Sequence, residues 1–241
     1  MQMMNRKPLS KILDILYPRI CPICNEIVSQ KGADICRSCE RKLTYVGDSY
    51  CMRCGKPVAD EAEFCSDCMR IGHEYDEGCA ALVYDEYMSK SIYRFKYNGK
   101  KEFAEFYGRV MYERLHRMID AWDVCAIIPV PMHKDKLRKR GYNQAALIAK
   151  ELSARTKIPL YEDVVSRKHA TAALKNMGAK ERQNNLKKAF IVDRNVVKLD
   201  SVLIIDDIYT TGATVDAMAR VLKDSGVSKV YFATLCIGRG S

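Results

Sequence analysis

The chain has 241 residues, 48% of them hydrophobic, which is enough for one full core plus a small module that needs additional staples. Its formal net charge is +10, and all of the excess sits between residues 133 and 188, where 15 Lys/Arg face 5 Asp/Glu; the remaining residues carry 25 of each sign. No stretch approaches the roughly 20 apolar residues of a membrane span, and the concentrated positive charge suits a solvated basic surface or a site for a polyanion, either a phosphorylated small molecule or nucleic acid.

The chain opens with "LSKILDILYP", in which Leu9, Ile12, Leu13 and Leu16 share a helical face interrupted by Lys11 and Asp14 and stopped by Pro18. It is too short and too charged for the core of an export signal, so residues 1–19 are expected to form an amphipathic helix packed on the protein itself, without stable membrane insertion. A cytoplasmic location follows as the default, and structural disulfides are not expected there.

Eight of the eleven cysteines then fall into four C-x-x-C pairs: Cys21 and Cys24, Cys36 and Cys39, Cys51 and Cys54, Cys65 and Cys68. Two intervening residues let both sulfurs face one tetrahedral ion at about 2.3 Å. Eleven residues separate Cys24 from Cys36 and ten separate Cys54 from Cys65, each enough for a short ribbon returning to the same metal. Two structural four-sulfur zinc sites are therefore expected over residues 20–72, with the pairs combined in sequence order in preference to a crossed arrangement; a redox dithiol or an iron–sulfur centre is the alternative. Little apolar material lies between the pairs, so metal ligation must drive folding there, with on the order of 10 kcal/mol per site. Cys79, Cys125 and Cys236 lie in apolar runs and are expected to be buried strand residues.

From residue 73 to residue 241 strands and helices alternate. "CAALVY", "CAIIPV", "SVLIID" and "KVYFATLCI" read as strands; "KEFAEFYGRVMYERLHRMI", "NQAALIAKELSART" and "TVDAMARVLKDSG" read as helices, the second opened by Asn143 and the third closed by Gly226. Unbroken apolar strands between helices predict an α/β domain with a parallel sheet covered on both faces, whose ligand lies beyond the carboxyl ends of the strands. "PVPMHKDKLRKRGYNQ" leaves one such end, and its Lys134, Lys136, Arg138, Lys139 and Arg140 predict a flexible cationic loop for a pyrophosphate or a nucleic-acid backbone. "RKHATAALKNMGAKERQNNLKKAF", with Arg167, Thr171, Arg182, Asn185 and Phe190, reads as a basic flap. His133 and His169 read as exposed loop residues, and Tyr97 and Tyr142 are candidates for stacking on bases.

"VLIIDDIYTTGAT" raises the sharpest question, because two adjacent carboxylates repel at the end of a buried strand. A charged turn explains the pair without any ligand. A nucleotide-hydrolysing site would need a G-x-x-x-x-G-K-S/T phosphate loop, and the sequence has none. A third reading uses every residue: Asp206 and Asp207 accept hydrogen bonds from a cis-diol. Backbone amides at the following helix start, with Thr210, Thr211 and Thr214, ring a phosphate, and Gly212 allows close approach. That ligand is a ribose 5-phosphate.

The segment resembles the phosphoribosyl-pyrophosphate loop of type I phosphoribosyltransferases. The resemblance implies that Asp206 and Asp207 hold the ribose hydroxyls and that Thr210, Thr211, Gly212, Ala213 and Thr214 hold the 5-phosphate, with Mg²⁺ accompanying the pyrophosphate. The 6-oxopurine salvage enzymes carry an aspartate where Thr210 stands, which argues against hypoxanthine or guanine as acceptor. Taken together, "LYPRICPIC", the four cysteine pairs, "FKYNGKKE", "PVPMHKDKLRKRGYNQ", the spaced Arg167, Thr171, Arg182, Asn185 and Phe190, and the acidic loop resemble the ComF family of competence proteins over nearly the whole chain. Many relatives carry a glutamine where Leu174 stands, so any contact made by that side chain is lost or moved here. The family implies a small double zinc ribbon before a type I phosphoribosyltransferase-like domain. It also implies a cytoplasmic part in natural transformation, handling single-stranded DNA beside a helicase-like partner. The basic set Lys134, Lys136, Arg138, Lys139, Arg140, Asn143, Gln144 and Arg182 is then expected to meet pyrophosphate or nucleic acid. An active Mg-dependent phosphoribosyltransferase acting on another acceptor is the alternative.

Overall fold

The computed structural model describes residues 18–30, 32–59, 61–167, 189–193 and 199–239. The helix expected over residues 1–19 lies almost wholly outside them, as do Arg182 and most of the basic segment after Arg167. The chain divides into two compact units, residues 1–43 and residues 44–241. Among the described residues no helix is long and apolar enough to cross a membrane.

Two cysteine clusters repeat one local design. In the first unit Ile20 bridges Ile27, the Cys21 amide donates to the Glu26 carbonyl, and helix α1 (Arg37–Glu40) follows the second cysteine pair. In the second unit Tyr50 bridges Pro57, the Cys51 amide donates to the Lys56 carbonyl, and helix α2 (Ser66–Arg70) follows. A left-handed residue follows the first cysteine pair of each cluster, Asn25 at φ 67° and Gly55 at φ 74°. A Cβ on Gly55 would sit 2.8 Å from the Cys79 Cα, so glycine also lets the second ribbon press against a strand.

That strand is β1 (Glu77–Val83), followed by α3 (Glu86–Tyr97), α4 (Phe103–Ala121), β2 (Ala126–Pro129), α5 (Lys134–Arg140), α6 (Gln144–Thr156), β3 (Val165–Arg167), β4 (Phe190–Val192), β5 (Ser201–Tyr209), α7 (Ala213–Asp224) and β6 (Lys229–Ile237). The main sheet has the order β1-β6-β5-β2, and every pairing is parallel. Helices α4 and α6 pack on each other and on the sheet. On the α7 side, alternate residues Val202, Ile204, Val230 and Phe232 form one core with Met218 and Leu222, and the same core takes in Cys51, Cys54, Cys65 and Tyr75 of the second ribbon. Neither outer strand is left bare: residues 44–46 run antiparallel along β1, and Pro159 and Tyr161 hydrogen-bond to Ile127 of β2.

The parallel α/β sheet is the fold read from the sequence, and three local expectations change. Residues 134–140 form a helix: the His133 side chain accepts from the Asp135 amide at its start, and Gly141 closes it in the left-handed region at φ 81°. Tyr142 is a core residue, 6% exposed, whose hydroxyl donates to the Phe95 carbonyl. Cys125 is exposed; it precedes β2, and its thiol donates to the Ser201 carbonyl. The ends of the expected flap pair antiparallel as β3 and β4, with Arg167 opposite Phe190.

Candidate functional site

The candidate site forms where parallel strands end unevenly. β2 stops at Pro129, opposite Ile205, and the last bond on that side is the Val130 amide to the Ile205 carbonyl. β5 runs on for four residues because β6 keeps pairing with it, Asp206 opposite Thr234 and Tyr209 opposite Ile237. The two aspartates therefore lie within a paired strand, flanked on one side by the space beyond β2, and not in the turn after it.

Their burial is compensated unequally. Asp207 is 7% exposed and holds Lys96, whose Nζ lies 2.7 Å from one carboxylate oxygen and 3.0 Å from the other. Burial pulls the Lys96 ammonium down, but the charge and hydrogen bond of Asp207 outweigh it and hold its pKa above the ordinary value. Asp206 accepts the Asp207 amide at 2.8 Å. Burial first, and the Asp207 charge second, push its carboxyl up to about 7.

Around these acids lies a cavity of about 230 Å³ lined by Lys96, Tyr97, Lys136, Arg140, Asn143, Gln144, Arg167, Asp206, Asp207 and Thr214, among others. Four cations thus share a small space with two carboxylates. Burial and the charges of Arg167, Arg140 and Lys96 hold the Lys136 ammonium below its ordinary value, and burial lowers the Arg167 guanidinium. Gln144 is buried; its Oε1 accepts from Arg140, and its Nε2 has no hydrogen-bond partner among the described residues. Asn143 accepts from the Ala145 amide and donates to the Val130 carbonyl, so it fixes the start of α6 and the exit of β2.

Of the residues singled out from sequence, Lys136, Arg140, Asn143, Gln144, Asp206, Asp207 and Thr214 line this cavity. Lys134, Arg138 and Lys139 are exposed on α5, and Arg182 lies outside the described residues. Thr210 and Thr211 are exposed in the turn, Gly212 is buried at φ 80°, and Ala213 begins α7. A Cβ on Gly212 would lie 2.5 Å from the Tyr209 hydroxyl, so only glycine fits the left-handed turn. Sequence reading missed Lys96 as a lining residue; its signal was a lone lysine between aromatic residues in "FKYNG".

The turn before α7 is gripped from the other side by the second ribbon. Tyr75 and Tyr209 share a buried hydroxyl–hydroxyl bond of 2.7 Å. His73 Nδ1 lies 2.9 Å from Asp216 Oδ2, in the first turn of α7, while the Glu74 amide donates to Asp216 Oδ1 at 2.9 Å. Buried Lys56 pairs with Asp67 at 2.7 Å and lies over the Tyr209 ring.

Both cysteine clusters bring four sulfurs within 4.8 Å of one another. Burial opposes ionisation of the Cys51 thiol, yet backbone amides of Cys65, Cys54 and Arg53 bring it down to about 7. Burial and the neighbouring sulfurs push Cys36 up to about 12 and Cys39 to about 11. Four sulfurs so close cannot all ionise without a cation, and an all-thiolate set at this spacing fits a structural zinc ion in each cluster.

Comparison with known proteins agrees with this architecture. The double zinc ribbon domain model matches residues 12–69, and the phosphoribosyl transferase domain model matches residues 138–241. Competence protein F of Haemophilus influenzae is 30% identical over 204 residues, covering 81% of this chain and 87% of that protein. DNA utilization protein YhgH of Escherichia coli K12 is 28% identical over 225 residues, 92% of this chain and 98% of that protein. Competence protein ComFC of Bacillus subtilis is 26% identical over 239 residues, 88% of this chain and 91% of that protein.

Proposed function

Since the chain belongs to the ComF family of competence proteins, we propose that it binds phosphoribosyl pyrophosphate in the cavity around Asp206 and Asp207 and acts on single-stranded DNA during DNA uptake. One observation carries the first part: two carboxylates and four cations line one cavity beyond the ends of parallel strands. A ligand that answers both must present hydroxyl donors and anionic groups close together, and a phosphorylated ribose does so.

Each group then has a task. A carboxylate offers about four acceptor positions; Lys96 occupies part of the Asp207 set, leaving the rest for ribose hydroxyls. Thr214 and the amides at the start of α7 face a 5-phosphate, favoured by the positive end of a helix. Lys136, Arg140 and Arg167 balance the pyrophosphate, and the Gln144 amide supplies a further donor. Mg²⁺ neutralises pyrophosphate oxygens when it accompanies the donor. Single-stranded DNA engages the basic surface of residues 133–188 through its phosphates, with affinity that falls steeply with salt. A helicase-like partner and a cytoplasmic place of action belong to the same proposal and rest on the family resemblance; the names of the relatives, competence proteins and DNA utilization proteins, support only the part in handling DNA.

The test is calorimetric titration of the zinc-loaded protein with phosphoribosyl pyrophosphate and Mg²⁺, comparing wild type with Asp206→Asn/Asp207→Asn. The double variant should lose binding by 100-fold or more, roughly the loss of two charge-assisted hydrogen bonds, and keep its metal content and circular dichroism. Unchanged affinity overturns the assignment of the cavity. Pyrophosphate release assayed across a panel of bases and amines separates a binding protein from a transferase.

A further inference from the structure

Of the three exposed tyrosines of helix α3, Tyr87, Tyr93 and Tyr97, the last two are the more exposed and stand together. Met88, Ile92 and Phe95 bury its inner face. Tyr93 and Tyr97 stand one turn apart on the outer face, 59% and 65% exposed, with ring centroids 4.9 Å apart. Arg140, from α5, lays its guanidinium over the Tyr97 ring at 4.9 Å. Tyr97 also lines the charged cavity together with Lys96, Lys136, Arg140 and Arg167. An aromatic ladder thus begins at the cationic cavity and runs outward along the helix.

We propose that Tyr93 and Tyr97 form a base-stacking platform for a single strand of DNA whose phosphates are held by the cations beside it. This deepens the strand-binding reading above and rests on it. Single-strand sites combine a cationic track with aromatic faces on which successive bases stack, and the stacking tolerates any sequence. Both parts occur here on adjoining elements. A duplex does not suit the platform, because its bases are already stacked on one another. The two rings are tilted by 44° and remain mostly exposed, so their contact with each other leaves faces for a base. Tyr142, the other tyrosine considered from sequence, is core and takes no part.

The experiment uses the full zinc-loaded chain and fluorescence anisotropy with two labelled probes of equal length, an oligothymidylate and an abasic strand. Wild type should prefer the oligothymidylate by about fivefold or more, the lower end for one base–aromatic stack. Tyr93→Leu/Tyr97→Leu, which keeps apolar bulk on an exposed helix face, should lose that preference, read as the ratio of its two affinities. Tyr93→Phe/Tyr97→Phe should restore it, because the ring and not the hydroxyl stacks. Equal wild-type affinity for the two probes, or a preference that survives in the leucine variant, overturns the platform while leaving strand binding intact. Absence of binding to either probe overturns strand binding itself, and the platform with it.

Discussion

Replacing Lys96 by methionine tests how the adjacent carboxylates are tolerated. Lys96 lies 2.7 Å from Asp207, with the two side chains 22% and 10% exposed. Breaking a fully buried pair costs about 3–5 kcal/mol and breaking an exposed one about 0–1 kcal/mol, so this pair should cost about 2–3 kcal/mol. The loss has a direction in pH. Without the ammonium, Asp207 and Asp206 face each other uncompensated, and the folded protein holds a proton that the unfolded chain releases. A raised folded-state pKa gives stability that is lost as pH rises through it, so Lys96→Met should be penalised more at pH 8.5 than at pH 5.5. Urea unfolding of zinc-loaded protein, followed through Trp122 fluorescence, measures it as a lower midpoint with an unchanged slope. An equal loss at both pH values would mean that Lys96 acts by packing and not by charge, and the account of the acidic pair would fail.

Asp206 itself should impose a pH slope on the wild type. Its carboxyl stands at about 7 against an ordinary 3.8, so its contribution to stability is lost as pH rises between those values, in all about 4 kcal/mol at about 1.4 kcal/mol per pKa unit. Asp206→Asn keeps the shape and should be the more stable protein at pH 8, the gap closing toward pH 5.5 in urea titrations; a constant gap refutes the assigned protonation. Tyr75→Phe should cost about 1–3 kcal/mol by orphaning the buried Tyr209 hydroxyl. Tyr75→Phe/Tyr209→Phe should recover most of it, because neither hydroxyl is then left alone; additive losses in chemical denaturation would show that the bond is not the coupling.

How much was legible from sequence depended on whether the signal was local. Strand β6 appeared residue for residue as "KVYFATLCI", because continuous apolar runs in parallel sheets are local patterns. The eight cysteines announced their clusters by spacing alone, and the structure brings each set of four together. The carboxylates, Arg140 and Gln144 were visible as a charged pair and a basic motif beside strand ends. Lys96 was not, because its importance arises from a contact across 111 residues, and a lysine between aromatic residues does not by itself announce its partner. Arg138 and Lys139 looked equivalent to Lys136 and Arg140 until helix α5 turned the first two outward. Tyr142 looked like a surface aromatic because it follows Gly141 in a basic run, yet its hydroxyl has a carbonyl partner in α3 and its ring sits beside Phe95.

The distribution of charge explains why the site asks for a ligand with more than one anionic group. Lys96, Lys136, Arg140 and Arg167 outnumber Asp206 and Asp207 within one cavity. Lys96 is committed to Asp207, so the surplus rests on the other three cations; Lys136 is depressed first by burial and then by the charges of its cationic neighbours. A single diester phosphate of a strand would offset one of them. A pyrophosphate offsets more, and by relieving the repulsion it raises the Lys136 pKa instead of lowering it. A neutral sugar would meet the carboxylates and leave the cations unbalanced. On the proposal above, small-ligand and strand binding would share these cations, and Arg140, which donates to Gln144 and lies over the Tyr97 ring, is where the two would meet.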